Sequence, residues 1–424
     1  MVQATNELIL GIDLNEQYAQ LTYYHQSVRE PLTVGLPSDP EQIQFPMAMR
    51  QDSQGQWKFW TGEPEQDDGE PDRCRICGIY EKIQNQEAIE DQGQSFEPAE
   101  ILAIYFGLCM STVSLLTQNT RVQVMVTVRE LTERWSDVLS SALEKNGIDR
   151  KLIYMQDYLS SFYYYTVNQK KELWYQDVAL LEYEEEAIVG YVLHIDRSTR
   201  PAIAKVDMVA RQSMDDTVRD GRDEPEWKKE KDRLFFELLK KVFERRNISV
   251  SYLLGDYFNK SWAERSIQYL CYKRHAFQGK NLYSKGACYA AMERAGLIAA
   301  KGIIFGGRDM IQVNLGMDLC IRGKETYYPL VNAGINWYEA HHVCEFILHG
   351  EREIRVTSRP MTKGEPTVHM LRLTGLPPRP DRATRLRLTV YFTAPGKCHL
   401  EVEDLGFGEF YRPCGLTWQR DIFF

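Results

Sequence analysis

The stretch DVALLEYEEEAIVGYVLHID, residues 177–196, contains two apolar runs on either side of a short acidic corner. Both runs have the length and the aliphatic, β-branched composition of strands. We therefore predict a hairpin whose turn is formed by Glu184, Glu185 and Glu186. Three consecutive glutamates are an unusual choice for a turn between buried strands, so the turn is also a candidate functional feature.

The segments after this hairpin predict a mixed α/β unit. Residues 201–210 read as a third strand, and 233–246 as an amphipathic helix. A buried strand at 249–256 and a helix at 261–273 follow. The order is therefore hairpin, strand, helix, strand, helix.

The first part of the chain has a similar order of elements. Residues 7–25 predict a hairpin, and a strand, a helix, a strand and a helix follow at 121–128, 130–148, 151–157 and 158–167. Residues 62–94 are charged and interrupted by Pro and Gly, so we expect an exposed insertion there. A repeated β-rich α/β unit is the topology that this pattern indicates.

The pattern changes beyond about residue 300, where short alternating strands are separated by Pro and Gly. In one of them, Leu386, Leu388, Val390 and Phe392 point to one face, and the polar residues between them point to the other. We predict a separate β-sandwich at 313–424, after a linker at 301–312.

Composition limits the classes of partner. The 424 residues include 51 basic and 60 acidic side chains, a net charge of −9, which argues against sequence-independent binding of nucleic acid or anionic membrane. No stretch predicts a signal peptide or a membrane-spanning helix. Nine scattered cysteines suit reduced thiols better than a disulfide framework, so we expect a cytoplasmic protein.

The order of these segments, and several residues in them, resemble the DnaK-type heat-shock chaperones of the actin-like ATPase superfamily. LGIDL at 10–14 resembles the first phosphate loop of that family, and ALLEYEEEAIVGYVL at 179–193 falls on the second. SYLLGDYFNKSWAERSIQYLC at 251–271 falls on the adenosine region, and LTGLPPRP at 373–380 resembles part of the peptide-binding sandwich.

The resemblance implies an α/β fold with two actin/DnaK-like lobes, which are duplicated ribonuclease H-like units, followed by an all-β sandwich. Lobe I is expected at 1–175, including the charged insertion, and lobe II at 176–300. The linker at 301–312 and the sandwich at 313–424 complete the predicted organisation.

The resemblance also assigns positions in a nucleotide cleft. Triphosphate binding in this fold needs glycine backbone, hydroxyl groups and carboxylates that hold hydrated magnesium. The family's catalytic lysine falls at about Gln66, and the second glycine of its adenosine loop at Asp256. The residues compatible with a vestigial cleft are Asp13, Asn15, Asp157, Glu182 and Gly255, although Asn15, like Glu16 and Gln17, stands where the family has a glycine or threonine.

The glutamate triplet stands where the family has a run of glycines. Two like charges about 4 Å apart repel by about 1 kcal/mol in water and by about 4 kcal/mol at an effective dielectric constant of 20, so the triplet should repel a polyphosphate. Three roles remain open: a plain structural turn, an acidic surface that meets a protein partner, and a divalent-cation site formed with Asp13 and Asp157.

Two further groups have the residue types of metal ligands. Cys74 and Cys77 in CRIC have zinc-ligand spacing, but no second pair or nearby histidine follows. His341 and His342, close to Cys344, should face opposite sides of a strand. We therefore expect no metal site at either group, and no catalytic residues are predicted.

The predicted function is that of a non-enzymatic, DnaK-like interaction or chaperone-like protein. We expect no cofactor, with ATP and magnesium as the open alternative. We expect a protein or peptide partner on the sandwich, and a full-length chaperone of the same family is a further candidate partner. We expect no helical lid after the sandwich, so a bound segment should exchange faster, or the surface should serve a stable partner instead. The alternatives are a chaperone ATPase with an altered phosphate site and an actin-like, filament-forming scaffold.

Overall fold

The computed structural model shows a mixed α/β protein that divides into two compact units, Met1–Phe305 and Gly306–Phe424. Each unit is described by itself. No helix in the described part of the chain is long and apolar enough to cross a membrane. The structure describes residues 7–28, 30–37, 39–60, 74–91, 93–113, 121–184, 186–214, 224–255, 258, 262–350, 352–361 and 364–424.

The first unit combines several sheets with all seven helices of the described residues. Its strands are β1 (Glu7–Leu14), β2 (Tyr18–Tyr24), β3 (Leu32–Thr33), β4 (Phe45–Pro46), β5 (Met49–Gln51), β6 (Trp57–Phe59), β7 (Cys74–Ile76), β8 (Ile89–Asp91), β9 (Gln94–Phe96), β10 (Arg121–Val128), β11 (Ile153–Asp157), β12 (Asp177–Tyr183), β13 (Ala187–Asp196), β14 (Ala202–Ser213), β15 (Ile248–Leu254), β16 (His275–Gly279) and β17 (Ile303–Phe305). Its helices are α1 (Ile79–Asn85), α2 (Pro98–Ser111), α3 (Glu133–Lys145), α4 (Tyr158–Val167), α5 (Glu224–Phe243), α6 (Glu264–Cys271) and α7 (Leu282–Arg294).

Two six-stranded sheets have the same pattern of strand pairing. The first has the order β11-β10-β1-β2-β3, with β4 also pairing with β2, and the second has the order β16-β15-β12-β13-β14-β17. In each, a hairpin carries a further antiparallel strand on one side and two parallel strands on the other. The repeated order of elements predicted from the sequence is present in the structure.

Two helices connect the first sheet with the second. Helix α4 follows the first sheet in the chain, yet its Phe162 ring contacts Tyr252 of the second sheet with ring centroids 6.3 Å apart. Helix α7 lies between β16 and β17 of the second sheet in the chain, yet it packs on β1 so closely that a Cβ at Gly11 would lie 2.3 Å from the Cys288 nitrogen. Glycine at this position therefore permits the close approach of helix and strand.

The predicted exposed insertion differs from the structure over residues 74–91. Strand β7 pairs with β5, and helix α1 buries Ile79, Tyr80 and Ile83. The Tyr80 ring lies 4.6 Å from the Trp135 ring, centroid to centroid, so this part of the insertion belongs to the core. The prediction of an exposed insertion was wrong here because the charged residues of this stretch cluster at one end. Residues 61–73 lie outside the residues that the structure describes.

The predicted linker also contains a sheet strand. Ile303–Phe305 form β17, which pairs in parallel with β14 at the edge of the second sheet. The Phe305 ring stacks on Tyr163 of α4 with centroids 4.5 Å apart. A three-residue apolar strand after a glycine has too little periodicity to be recognised in the sequence.

The second unit consists of two four-stranded antiparallel sheets, with the orders β19-β18-β21-β22 and β20-β23-β24-β25. The predicted alternation is confirmed in the long strand β23, where Leu386, Leu388, Val390 and Phe392 are buried. The strands are β18 (Val313–Ile321), β19 (Lys324–Val331), β20 (His341–Ile347), β21 (Glu353–Pro360), β22 (Thr367–Arg372), β23 (Arg385–Ala394), β24 (Lys397–Gly406) and β25 (Thr417–Phe423).

Candidate functional site

The candidate site lies where the carboxyl ends of strands from both large sheets meet. Strands β1 and β10 run in parallel, so Asp13 near the end of β1 and Arg129 directly after β10 lie at the same edge. Strand β12 of the second sheet contributes Glu182 and, just beyond its end, Glu184. The carboxyl ends of strands are the usual location of ligand sites in open α/β sheets.

Arg129 joins the two sheets through ion pairs with both glutamates. Its Nη1 donates to Glu184 Oε1 at 2.9 Å, and its Nη2 lies 3.7 Å from Glu182 Oε1. Arg211 of β14 adds a second cation, 3.6 Å from the other oxygen of Glu184. Burial disfavours the charged form of Arg129, but the glutamate carboxylates raise its pKa above the ordinary value. The corner of the turn is therefore held by charges inside the molecule.

Two stacked tyrosines fill the space beside Arg129. Tyr158 begins α4 and Tyr283 lies in the first turn of α7, and their ring centroids are 4.1 Å apart at an angle of 19°. The Arg129 guanidinium carbon lies 5.3 Å from the Tyr158 ring centroid, a cation–π distance. A guanidinium and two rings thus occupy the region where the two sheets and the two connecting helices meet.

Asp13 is a buried carboxyl group in this cluster. It is 2 % exposed, and its Oδ1 atom accepts no hydrogen bond. Burial raises the pKa of Asp13 to about 7, with Glu182 and Glu16 contributing and Tyr158 and Arg129 opposing the shift. Burial likewise raises the pKa of Glu182. Burial therefore favours the neutral form of Asp13 below about pH 7.

Asn15 closes the turn between β1 and β2. Its Oδ1 accepts hydrogen bonds from the backbone amides of Gln17 and Tyr18, both at 2.9 Å, and its own amide donates to the Tyr18 carbonyl. A phosphate loop must direct such amides at its ligand. Here a side chain of the turn itself satisfies two of them.

Asp157 and Gly255 have local structural roles. Asp157 caps α4, because its Oδ1 accepts from the Ser160 amide at 2.7 Å. Gly255 follows β15 with φ of +105°, and a Cβ there would lie 2.4 Å from the Tyr183 carbonyl oxygen. The adjacent strands thus approach so closely that only glycine fits.

Trp262, in the segment that resembles the adenosine region, belongs to a cluster of aromatic side chains around a lysine. Lys231 of α5 is 7 % exposed, and its Nζ lies 4.7 Å from the Trp227 ring centroid, 5.0 Å from that of Tyr183 and 5.2 Å from that of Trp262. These are cation–π distances, and Phe235 extends the same core. A side chain of the protein itself therefore lies inside this aromatic cluster.

The structure thus brings Asp13 and Glu182 into one cluster and places Asn15 in the adjoining turn. Asp157 and Gly255 hold neighbouring backbone, whereas Gln66, Glu185 and Asp256 lie outside the described residues. Sequence reasoning missed Arg129, Tyr158 and Tyr283. An arginine immediately after the buried strand at 121–128 was the available signal, because the end of such a strand faces the cleft.

The described residues contain no group of three or more His, Cys, Asp or Glu side chains placed to hold a metal ion. Cys74 is buried and Cys77 exposed, and both are free thiols, as are the other seven cysteines. His341 is exposed, and His342 contacts Tyr328 through a 3.3 Å hydrogen bond.

Comparison with known families gives a match for each of two segments of the chain, and the longer match shows the family. Residues 30–307 match the family described as "Family of unknown function (DUF5716) C-terminal". The chain belongs to this DUF5716 family. The DUF5716 match includes the whole second six-stranded sheet and strands β3, β4, β10 and β11 of the first, but not the β1–β2 hairpin. It ends close to the division of the structure after Phe305. Residues 310–424 match "Domain of unknown function (DUF8552)". No curated protein matches the chain.

Proposed function

We propose that this DUF5716 protein is a DnaK-like, non-catalytic interaction or chaperone-like protein with a degenerate nucleotide cleft. The duplicated strand order of the two large sheets, with α4 and α7 between them, supports a two-lobed actin-like arrangement. The paired four-stranded sheets of the second unit support a β-sandwich that binds a protein or peptide.

The observation that carries the proposal is the bridge from Arg129 to Glu182 and Glu184. Arg129 already satisfies the charges at the corner where a triphosphate would lie. A polyphosphate would have to separate these ion pairs and then face the carboxylates at close range, where each like-charge contact costs about 4 kcal/mol at an effective dielectric constant of 20. These ion pairs therefore argue against polyphosphate binding at this corner.

The first-loop turn supports the same conclusion independently. The amides of Gln17 and Tyr18 donate to Asn15, so phosphate oxygens would have to displace an intramolecular acceptor. When a phosphate oxygen takes over one of these amides, the Asn15 side-chain oxygen loses a hydrogen-bond donor. Leaving such a buried polar group without a donor costs about 1–3 kcal/mol. The amides of Gln17 and Tyr18 are therefore not donors that are ready for a phosphate.

One observation favours the alternative of a chaperone ATPase with an altered phosphate site. The Oδ1 atom of Asp13 is buried without a hydrogen-bond donor, as expected of a carboxylate that faces a hydrated cation. This alternative requires nucleotide and magnesium together, because the described carboxylates do not form a three-ligand group.

Calorimetric titration of the full chain with Mg-ATP and with Mg-ADP tests the proposal. We expect no binding isotherm at millimolar nucleotide. A dissociation constant in the micromolar range would overturn the proposal and establish the alternative. A variant with glycine at positions 184–186 would then bind more tightly, with a Glu244→Gly variant as the matched surface control. Sedimentation at rising protein concentration tests the actin-like scaffold, which requires self-association.

A further inference from the structure

A shallow depression in the second unit is lined by arginines at one end of the sheet β19-β18-β21-β22. Its volume is about 460 Å³, and it lies where β21 begins and β22 ends. Residues 353 and 372 face each other across these antiparallel strands. The lining residues are Arg352, Glu353, Arg355, Arg372, Leu373 and Thr374.

The charges in this depression do not balance within the described residues. Glu353 pairs with Arg355, at 2.7 Å from its Nη2. Arg352 donates from Nη1 to the Leu376 carbonyl at 2.9 Å, a contact that brings no negative charge. Arg372 is exposed, and no carboxylate of the described chain pairs with it. Within the described residues, the guanidinium groups of Arg352 and Arg372 therefore have no carboxylate partner.

Arg355 and Arg372 lie on the same face of the sheet as an exposed apolar surface, and Arg352 directly precedes β21. In the pairing of β21 with β22, Arg355 lies opposite Met370 and Thr357 opposite Val368. Met370 is 44 % exposed and Val368 is 55 % exposed, whereas Ile354, Val356 and Leu371 point inward and are buried. The outer face thus combines exposed aliphatic groups with the guanidinium groups of Arg355 and Arg372, and with the carboxylate of Glu353 that pairs with Arg355.

We propose that this face binds an extended, acidic segment of a partner protein in which carboxylates alternate with apolar side chains. Guanidinium groups match carboxylates in a planar, two-bond geometry. Side chains of an extended chain that point the same way recur at every second residue, which suits a row of arginine and aliphatic contacts. The inference rests on the proposed binding of a protein by the second unit and names the chemistry of that partner.

Two observations favour a protein segment over nucleic acid and over simple strand addition. Residues 306–424 contain 15 basic and 14 acidic side chains, so the unit lacks the excess of positive charge that nucleic acid needs. The guanidinium of Arg420 donates to the Met370 carbonyl at the outer edge of β22. Because that edge is partly occupied, binding on the face is the better fit.

The test uses the full chain and a short fluorescein-labelled peptide in which glutamate alternates with leucine or valine. Fluorescence anisotropy should show saturable binding that weakens with added salt, and a peptide with glutamine at each glutamate position should bind at least about tenfold more weakly. The double variant Arg352→Glu with Arg372→Glu should lose about tenfold or more in affinity. The matched control is Arg308→Glu with Arg412→Glu, which changes the net charge equally at exposed arginines that do not line the depression.

Equal binding of the acidic and the glutamine peptides would overturn the inference, because the arginines would then contribute nothing. Equal losses in the two double variants would also overturn it, since net charge rather than the depression would then set the affinity. Absence of peptide binding to the wild-type chain would also overturn the inference. None of these results changes the nucleotide titration, so the failure of this inference and the failure of the proposed function are separable.

Discussion

The guanidinium of Arg129 and the carboxylate of Glu184 lie 2.9 Å apart and connect the two large sheets of the first unit. Arg129 follows a strand of the first sheet, and Glu184 lies at the hairpin turn of the second. This contact makes the acidic turn part of the internal structure, because the positive charge that holds it is supplied by the chain itself.

Replacing Arg129 with alanine should destabilise the first unit. The change leaves the nearly buried Glu182 without a cation, but Arg129 is 41 % exposed, so we expect a loss of about 1–2 kcal/mol in the free energy of unfolding after allowance for solvent screening. Urea unfolding followed by tryptophan fluorescence measures it. The Lys240→Ala variant, which breaks the surface pair with Glu237, is the control and should lose under about 0.5 kcal/mol. Equal losses in both variants would show that the ion pairs of Arg129 stabilise the protein no more than an exposed ion pair does.

Asp13 should make the first unit less stable as pH rises. Its pKa is raised from 3.8 to about 7 in the folded protein, so within that interval the folded state binds a proton that the unfolded state has released. The contribution of Asp13 to stability is therefore present below the unfolded value and is lost as pH rises through the folded value. Burial of Glu182, whose pKa is also raised, acts in the same direction.

The Asp13→Asn variant, which stays neutral at all pH values, isolates this effect. Its unfolding free energy should fall less steeply than that of the wild type between pH 3.8 and about 7. Urea titrations at several pH values within this interval give both slopes. Parallel slopes would mean that Asp13 is already ionised in the folded protein.

Gly255→Ala should be among the most destabilising single changes in the first unit. The substitution combines a left-handed backbone with a Cβ placed 2.4 Å from the Tyr183 carbonyl oxygen, and we expect a loss of about 2–4 kcal/mol. Gly296→Ala is the matched control, because it has φ of +71° but no atom within 4 Å of the added Cβ, and it should lose about 1 kcal/mol. Equal melting temperatures for the two variants would rule out the steric contribution.

Asp404 should stabilise the second unit, most strongly at pH values above those at which carboxyl groups ordinarily titrate. Its side chain forms two hydrogen bonds with Arg379, at 2.8 and 2.7 Å, and also accepts from the amides of Gly406 and Cys414. Burial alone would raise the pKa of Asp404, but these donors hold it well below its usual value. The stabilisation is therefore present above the unfolded pKa and is lost as pH falls towards the depressed folded value.

The Asp404→Asn variant leaves the buried Arg379 without its counter-ion, so we expect a loss of about 3 kcal/mol at neutral pH. Asp381→Asn, at an exposed pair with His349, is the control and should change stability much less than Asp404→Asn. Calorimetric unfolding at neutral and acidic pH compares them. A difference between the variants that does not shrink on acidification would contradict the predicted ionisation.

Much of the strand pattern was predictable because it is local. The hairpin at 177–196, the alternating Leu386, Leu388, Val390 and Phe392, and the order of elements in both halves of the first unit follow from periodicity within short windows. The elements that escaped prediction are short or locally polar. Strand β17 has three residues, and α1 lies within a stretch whose charges mask its buried side chains.

The site was predictable only in part. Asp13 and Glu182 were found through the resemblance of their segments to the two phosphate loops, and both belong to the buried cluster. Arg129, Tyr158 and Tyr283 were missed because their contacts join elements far apart in the chain. The sequence analysis left three roles open for the glutamate triplet, and none of them anticipates a guanidinium from the other sheet as the partner of Glu184.

The amino-acid sequence by itself determined the alternation of hairpins, strands and helices, because burial of apolar side chains at a period of two or of about 3.6 is decided over a few neighbouring residues. The tertiary structure alone decided what the acidic turn holds. Arg129 and Glu184 are 55 positions apart, and their pairing depends on how α4 and α7 bring the two sheets together. Charge pairing acts through space, so it becomes visible only when the fold has placed both partners.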